Sequence, residues 1–345
     1  MMRSVQLIAY LLPLLLIFSC SLQFSTEELA FQSGRFRVVG DLRLPPGPGP
    51  HPVVVFVHGD GPNNRTSGVT YPPIMDRMLA VGYAAFAWDK PGTGESSGKI
   101  DRSRLLEQRA QIVLDAVEFL KERPDIDTQR IGLWGISQAG YVMPRVLERS
   151  EDIAFMIAVS CPGEPGAEQG AYLFAAQALC AGASEEEATQ IEYLLAEIER
   201  ADDYETYVRY KEQLAGYPFL EGLGLNLLVA TEEQWHHPNF EGDYFWDPMT
   251  VIERTTIPVL AFFGGKDTQA DPIQGARAYR AALERAGNPH YRVELIPRVD
   301  HNLIISETGS LREREQRSRR GWQNYAPVYL DILEEWLREL HEQTP

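Results

Sequence analysis

The feature that most constrains the fold is a series of short apolar segments that alternate with segments of helical periodicity. VVVFVH at 53–58, YAAFAWD at 83–89 and IAFMIAVS at 153–160 are almost continuously apolar, which is typical of strands buried on both faces of a parallel sheet. Segments 71–81 and 102–122, which separate such strands, carry apolar residues at helical spacing. This alternation predicts an α/β fold with a mostly parallel, doubly wound sheet that has helices on both faces.

The pattern extends to both sides of these segments. RFRVVGDLRLP at 35–45 alternates apolar and polar residues, as a half-buried antiparallel strand does. Towards the C-terminus, IPVLAFFGG at 257–265 and YRVELIP at 291–297 predict two further strands, with a helix between them at about 272–286. We therefore expect the core to consist of 21–163 and 251–345.

The alternation stops at 164–250, which separates the two parts of the core. This stretch has helical patterns at about 184–200 and 203–215 and no clear strand pattern. A helical insertion just before the last strands predicts a cap over the strand ends, and the alternative is a surface excursion that only packs. Five aromatic residues near its end could line an acyl pocket or form the cap's own core: Trp235, Phe240, Tyr244, Phe245 and Trp246.

The N-terminal segment 1–20 is interpreted as a signal peptide. Arg3 precedes an apolar run at 5–18 that is too short to span a bilayer as a helix. The run ends at Cys20 in a pattern that resembles a bacterial lipoprotein box, which implies lipidation of Cys20. An ordinary signal peptide is the alternative. We expect an exported protein, anchored by lipid in the bacterial cell envelope or else periplasmic or secreted.

Charge and cysteine content narrow the possible partners. The formal net charge of −17 argues against nucleic acids and anionic membrane surfaces, so a membrane is expected only through the lipid anchor. Apart from Cys20, the chain has Cys161 and Cys180, which form either one disulfide or two buried thiols.

WGISQAGYV at 134–142 is a candidate nucleophile elbow. Ser137 follows RIGLWG at 130–135, a further predicted strand, and opens a helix predicted at 138–147, which is the context that a G-x-S-x-G turn requires. Gly135 leaves room for the tight reversal, and Gly140 allows the helix to pack closely on a strand. Ala139 replaces the second glycine of the usual pattern and adds one methyl group.

A serine nucleophile needs a histidine base. Beyond Ser137 the chain has His236, His237, His290, His301 and His341. The first two lie in the insertion, and adjacent histidines rarely ligate one metal ion, so we expect no metal and no cofactor. His301 follows the last predicted strand directly and is therefore the candidate base.

The acid that orients the histidine is expected in the loop after the preceding strand. Asp267 lies closest to the end of that strand and is the candidate. Asp271 is better placed to cap the helix that begins near Pro272. Asp300 is a weaker alternative, because adjacent side chains in an extended segment point in opposite directions.

Acyl transfer also needs N–H donors for the developing oxyanion. The backbone N–H of Gln138 is one candidate, and that of Asp60, in HGDGPNNR at 58–65, is the other. Gly59 and Gly61 would permit the close approach of the backbone. The Asp60 carboxylate would oppose an oxyanion, so we expect it to turn away or to pair with Arg65.

Five segments in order resemble the α/β-hydrolase superfamily: VFVHGDGP, AWDKPGTGESSG, GISQAG, FFGGKD and DHN. The chain is most similar to its bacterial esterase and serine-peptidase-like branch, related to dienelactone hydrolases and to the catalytic domain of prolyl oligopeptidases. The resemblance covers 36–163 and 251–341 and implies a Ser137, Asp267, His301 triad. It also implies an oxyanion hole at Asp60 and Gln138.

The expected function is hydrolysis of carboxylic esters by a serine hydrolase, with a small-molecule ester as substrate. A peptidase or amidase with the same triad, acting on a short peptide or an amide, is the first alternative. The second is an envelope lipoprotein that has a hydrolase scaffold without catalysis.

Overall fold

The computed structural model describes residues 24–343, except for residue 69 and for 221–230, 236–244 and 320–323. Cys20 and the histidine pair at 236 and 237 lie outside the described residues, and so do Phe240 and Tyr244. The signal-peptide and lipidation hypotheses therefore stay predictions.

Within the described residues, eight strands form one sheet in the order β1-β2-β4-β3-β5-β6-β7-β8. β2 is antiparallel to both of its neighbours, and the strands from β4 through β3 to β8 pair in parallel. The strands are β1 Ser25–Ser33, β2 Phe36–Leu44, β3 His51–Val57, β4 Ala84–Trp88, β5 Ile126–Ile136, β6 Ile153–Val159, β7 Val259–Gly264 and β8 Tyr291–Ile296.

Helices connect the strands and flank the sheet. The α-helices are α1 Tyr71–Ala80, α2 Leu105–Lys121, α3 Ala139–Leu147, α4 Gly166–Cys180, α5 Glu185–Glu199, α6 Tyr204–Leu214, α7 Glu232–Trp235, α8 Met249–Ile252, α9 Pro272–Arg285, α10 Leu311–Arg319 and α11 Pro327–Gln343. Two short 3₁₀ helices lie at Arg102–Arg104 and Pro218–Leu220.

Strand β3 shows why the apolar runs are continuous. Val53, Val55 and Val57 point into a core formed with α2, α3 and α9. Val54 and Phe56 point the opposite way, into a core formed with α1 and α11. Since successive side chains of a strand face opposite sides, a strand covered on both faces must be apolar at every position. The predicted doubly wound, mostly parallel sheet is confirmed.

The sequence patterns did not predict strand β1 or helix α4. Strand β1 precedes the first predicted strand, at 35–45, and most of its side chains are exposed. It pairs with β2 in register from Ser33 opposite Phe36, with Gly34 at φ +52° in the connecting turn. Helix α4 buries mainly alanines, at Ala171, Ala175 and Ala178, and small residues give only a weak helical pattern of hydrophobicity.

Helices α4, α5 and α6 share a hydrophobic cluster of their own, with Ile191, Leu195 and Ile198 buried in it. Trp235 packs at its edge, 6.1 Å from the ring of Tyr204, so this aromatic belongs to the insertion's core. The interpretation of 164–250 as a cap over the site stays a prediction.

The cysteines that the sequence left open are both free thiols, with Cys161 buried and Cys180 exposed. In the part of the chain that the structure describes, no helix is both long enough and apolar enough to cross a membrane.

Candidate active site

Ser137 lies in the turn between β5 and α3 with a φ of +58°. This left-handed conformation is uncommon for residues with a side chain and costs about 1–3 kcal/mol unless the surroundings enforce it. Here the Ser137 N–H donates to Val159 O at 3.0 Å, and the Gly140 N–H donates to Ser137 O at 2.8 Å. The turn is therefore fixed from both sides, as in the predicted elbow.

The small residues around Ser137 are required by close packing. A Cβ on Gly135 would lie 2.6 Å from the Cβ of Ala139 and 2.7 Å from the Sδ of Met143. A Cβ on Gly140 would lie 2.7 Å from the Cβ of Cys161, so this glycine lets α3 approach the end of β6. The fully buried methyl of Ala139 fits because position 135 has no side chain.

His301 and Asp267 form a buried pair. The Nδ1 atom of His301 lies 2.7 Å from Oδ2 of Asp267, and the two residues are 4% and 3% exposed. The other carboxylate oxygen of Asp267 accepts the N–H groups of Gln269 at 2.7 Å and Ala270 at 3.1 Å. A neutral imidazole that donates from Nδ1 leaves Nε2 unprotonated, which is the state that a general base needs.

Ser137 and His301 line the same pocket, which encloses about 100 Å³. Among the described residues no hydrogen bond joins the serine hydroxyl to the imidazole, and such bonds are often long in a free enzyme and tighten when substrate binds. The rest of the lining mixes polar and apolar groups in similar amounts. It consists of Gly59, Asp60, Asn63, Ser67, Thr70, Tyr71, Ile74, Trp134, Ile136, Gln269, Asn302, Arg314 and Tyr325.

The two other aspartates are engaged elsewhere. Asp271 caps α9, accepting from Ile273 N at 2.8 Å and Gln274 N at 3.1 Å, as the sequence predicted. Asp300 forms an ion pair with Arg317 and accepts two backbone N–H groups of its own loop. The structure therefore joins only one of the three aspartates considered, Asp267, to His301.

The loop after β3 lies against the serine. A Cβ on Gly59 would lie 3.3 Å from the Cβ of Ser137 and 3.2 Å from Ile136 O, so the backbone approaches closely here, as expected. Gly59 and Asp60 both line the pocket. Gly61 differs from its expected role: a Cβ there would meet nothing within 4 Å, and the glycine is needed for its φ of +83°.

Of the two expectations for the Asp60 carboxylate, that it turns away or that it pairs with Arg65, the pairing with Arg65 is not observed. The guanidinium of Arg65 binds four other carboxylates instead, those of Glu28, Asp41, Asp89 and Glu95. These contacts link the loop to β1, β2 and the end of β4. Asp89 draws Arg65 away because it is buried and needs a cation, whereas Asp60 is exposed on the loop.

His58 precedes this loop and is fully enclosed. Its Nδ1 lies 2.8 Å from the hydroxyl of Tyr71 and its Nε2 lies 2.6 Å from Trp88 O. Burial, with the nearby Lys90 charge, lowers the pKa of His58 to about 3, so the ring stays neutral and both nitrogens are occupied. Among the described residues, no group of three histidine, cysteine or carboxylate side chains is arranged to hold a metal ion.

Helix α4 braces the loop that carries the acid. The Tyr172 hydroxyl donates to Asp267 O at 2.7 Å. The side-chain amide of Gln177 donates to both oxygens of Thr268, at 3.1 and 2.6 Å, and its carbonyl accepts from Leu311 N at 3.1 Å. The insertion therefore contributes to the position of Asp267.

Three cationic residues near the site were missed from the sequence. Lys90 and Arg109 are buried behind the loop after β3, and Arg314 lines the pocket from α10. One signal could have revealed Arg109, which falls between Leu106 and Ile112 on the apolar stripe of α2. A charged residue on such a stripe must have buried partners.

Comparisons with known proteins agree with this architecture. A family model described as the alpha/beta hydrolase family matches residues 54–310. The Thermotoga maritima protein named esterase EstD is 29% identical over 279 residues, which cover 78% of this chain and 58% of that protein. The chain thus spans little more than half the length of this relative.

Solved structures show the same fold at low sequence identity. The Pyrococcus furiosus esterase Pf2001 is 15% identical, with a TM-score of 0.54 and coverage of 92% of this chain and 91% of that one. The Pyrococcus horikoshii acylaminoacyl peptidase is 19% identical, with a TM-score of 0.53 and coverage of 91% and 42%. The family match spans most of the sequence, and the sheet order and the elbow agree with it. The chain therefore belongs to the α/β hydrolase family.

Proposed function

We propose that this protein is a serine hydrolase that cleaves carboxylic esters through an acyl-enzyme on Ser137. One observation carries the proposal: His301, which is held by the buried Asp267, and a serine held at positive φ line one pocket. Three groups of these types, brought from the ends of three strands, can activate a hydroxyl that is otherwise a poor nucleophile.

In the acylation step, Oγ of Ser137 bonds to the ester carbonyl carbon while its proton passes to Nε2 of His301. The carbonyl π electrons move to oxygen, and the N–H groups of Gln138 and Asp60 donate to that oxyanion. The intermediate then expels the alcohol, which takes the proton from His301. Asp267 holds the ring and stabilises the imidazolium while it lasts.

In the deacylation step, a water molecule gives a proton to Nε2 of His301 and attacks the acyl carbon. The bond to Oγ of Ser137 breaks, the serine takes the proton back, and a carboxylic acid leaves. The position of Gln138 at the N-terminus of α3 favours the oxyanion in both steps, because the exposed N–H groups there attract negative charge.

The pocket favours short acyl groups over long aliphatic ones. Its volume of about 100 Å³ leaves little room for a fatty chain, whose binding free energy would come from the apolar surface that it buries. The likeness to a protein named as an esterase supports esters as the substrate class.

The test measures hydrolysis of p-nitrophenyl acetate, butyrate and octanoate and of aminoacyl anilides by the wild type, Ser137→Ala and His301→Ala. We expect the wild type to hydrolyse the short esters and both variants to hydrolyse them at least roughly 10³-fold more slowly. Ser160→Ala is the matched control, since Ser160 is, like Ser137, a serine at positive φ (+47°) directly after a strand, although it is fully buried. His290→Ala, at an exposed histidine, is the second control.

Three outcomes would contradict the proposal in different ways. Turnover of anilides without esters would assign a peptidase or amidase. Full turnover by Ser137→Ala would remove the serine from the mechanism. A wild-type protein that turns over no substrate and does not react with a fluorophosphonate probe would be a non-catalytic member of the family.

We also propose export and lipidation at Cys20, on the basis of the N-terminal sequence alone. The expected result is that the full chain, expressed in a bacterium, partitions into the detergent phase and that Cys20→Ala moves it to the aqueous phase. Aqueous partition of both forms would contradict the anchor.

A further inference from the structure

Two basic side chains lie buried directly behind the loop after β3. Lys90 is 7% exposed and follows β4, and Arg109 is 5% exposed on α2. Among the described residues, neither has a carboxylate within 4.0 Å, although buried cations normally pair with one. Their partners are almost entirely backbone carbonyls.

These carbonyls belong to three of four consecutive residues. The Lys90 Nζ donates to Gly59 O at 2.5 Å and to Gly61 O at 2.7 Å. The Arg109 guanidinium donates to His58 O with one nitrogen and to the side-chain carbonyl of Gln138 with another. Together the two side chains hold the loop after β3 and, through Gln138, the elbow.

The planarity of the peptide bond converts these contacts into a direction for the N–H groups. In a trans peptide the C=O and N–H bonds point to opposite sides. A donor on Gly59 O therefore turns the Asp60 N–H to the opposite face of the loop, and a donor on His58 O does the same for the Gly59 N–H. Gly59 and Asp60 line the pocket beside Ser137, while Lys90 and Arg109 do not, so we infer that this opposite face is the one toward the pocket.

The two faces of the loop are separate spaces. Lys90, Arg109 and His58 line a small cavity of about 10 Å³ together with apolar residues of β3 and α2. None of these three lines the pocket that contains Ser137, so neither basic side chain is placed to touch a substrate there.

We propose that Lys90 and Arg109 are positioning residues that aim the backbone N–H groups of the loop after β3 at the oxyanion. The proposal rests on the proposed hydrolase function and extends it to residues outside the pocket. Arg109 has the wider role, because it ties His58 O on one side of the oxyanion site to the Gln138 side chain on the other.

The protonation state of Lys90 is compatible with this role. Burial, and next the charge of Arg109, lower the pKa of Lys90 to about 6, while the nearby Asp60 carboxylate opposes the shift. A neutral amine still has two N–H groups, which equals the number of carbonyls that it binds. Burial also lowers the pKa of Arg109, to about 10, so the guanidinium keeps its charge at neutral pH.

The test uses Lys90→Met, which keeps the length of the side chain and removes both donors, and Arg109→Lys, which keeps one donor group. Each is compared with the wild type for kcat, for KM with p-nitrophenyl butyrate, and for inhibition by a trifluoromethyl ketone, whose hemiketal oxyanion imitates the transition state. Lys121→Met is the control, since Lys121 lies on the outer side of α2 in ion pairs with Glu118 and Asp152.

We expect kcat to fall about 10- to 100-fold in Lys90→Met, with KM changed less than about threefold and ketone binding weakened in step with kcat. If Lys90→Met does not fold, Arg109→Lys tests the proposal in its place. We expect the same loss of kcat and of ketone binding, with KM changed little. Normal kcat and ketone binding in a folded variant would overturn the proposal and leave the hydrolase function intact. Equal losses in ketone binding and in substrate binding would assign both residues a structural role, and a wild type without turnover would overturn both proposals.

Discussion

The Nδ1 atom of His301 lies 2.7 Å from Oδ2 of Asp267, while Oδ1 of that carboxylate is fixed by two backbone N–H groups. The carboxylate cannot rotate without losing these bonds, so it holds the imidazole in one orientation and one tautomer. In Asp267→Asn the amide can present its NH₂ group to the ring, which would move the proton to Nε2. We expect kcat for short esters to fall roughly 10³- to 10⁴-fold, measured at pH 8.

Asp271→Asn is the control for this substitution, because asparagine is also a good helix cap and Asp271 lies four residues away. It should retain kcat within about threefold. A folded Asp267→Asn variant with more than a tenth of the wild-type kcat would contradict the role of Asp267.

Tyr172 connects the insertion to the acid loop through its 2.7 Å bond to Asp267 O. In Tyr172→Phe this buried carbonyl loses its donor, so we expect the free energy of unfolding to drop by about 1 kcal/mol and kcat to drop severalfold. Urea unfolding and ester kinetics measure the two effects. Tyr193→Phe, on an exposed tyrosine of α5, should change neither. An unaffected kcat in Tyr172→Phe would mean that the Tyr172 hydroxyl does not position the acid.

The fold was largely predictable because most of its strands are buried on both faces. The sequences of such strands are continuous apolar runs, and β3 is the clearest example. The edge strand β1 escaped because only its last residues are buried, so its sequence, STEELAFQS, has too few apolar positions to show a period. Helix α4 escaped because it packs through alanines, whose burial leaves little contrast with its polar face.

The pairing of Asp267 with His301 was predictable from position, because both follow the carboxyl ends of neighbouring parallel strands. The contacts behind the loop after β3 were not. Lys90 and Arg109 are charged, and charge in a sequence normally indicates the surface. Their partners are backbone carbonyls of distant segments, and no residue type in the sequence marks a carbonyl as an acceptor.

Gly135 tests the packing beneath the elbow. In Gly135→Ala the new methyl would meet both the Cβ of Ala139 and the Sδ of Met143 at less than 3 Å. We expect the free energy of unfolding to fall by about 1–3 kcal/mol and kcat to fall with it, since Ser137 is two residues away. The double variant with Ala139→Gly removes one of the two clashes and should recover part of both losses.

Gly216→Ala provides the control for Gly135→Ala, because Gly216 is exposed and a Cβ there would meet only Gln213 O at 3.2 Å. Its free energy of unfolding should stay within about 0.5 kcal/mol of the wild type. If Gly135→Ala were as stable and active as this control, the elbow would be free to relax and Ala139 would not depend on the glycine.

The free energy of unfolding is expected to depend on pH through Glu164. This residue lies half-buried where the chain leaves β6 for α4, and burial, followed by the charges of Asp271, Glu168 and Glu192, raises its pKa from 4.5 to about 7. Because the folded chain binds this proton more tightly than the unfolded chain, the stabilisation is complete below pH 4.5. It is lost as the pH rises through 7.

Glu164→Gln keeps the uncharged form at every pH, so it should match the wild type near pH 4.5 and exceed its stability at pH 8. We expect a gain of about 1 kcal/mol at pH 8, reduced from the full linkage value because the side chain is partly exposed to solvent. Urea unfolding of both proteins at pH 5, 6, 7 and 8 measures the difference. Glu212→Gln, on the exposed side of α6, is the control, and its free energy of unfolding should vary with pH as that of the wild type does. If the Glu164→Gln curve also followed the wild type, ionisation of Glu164 would not destabilise the folded protein.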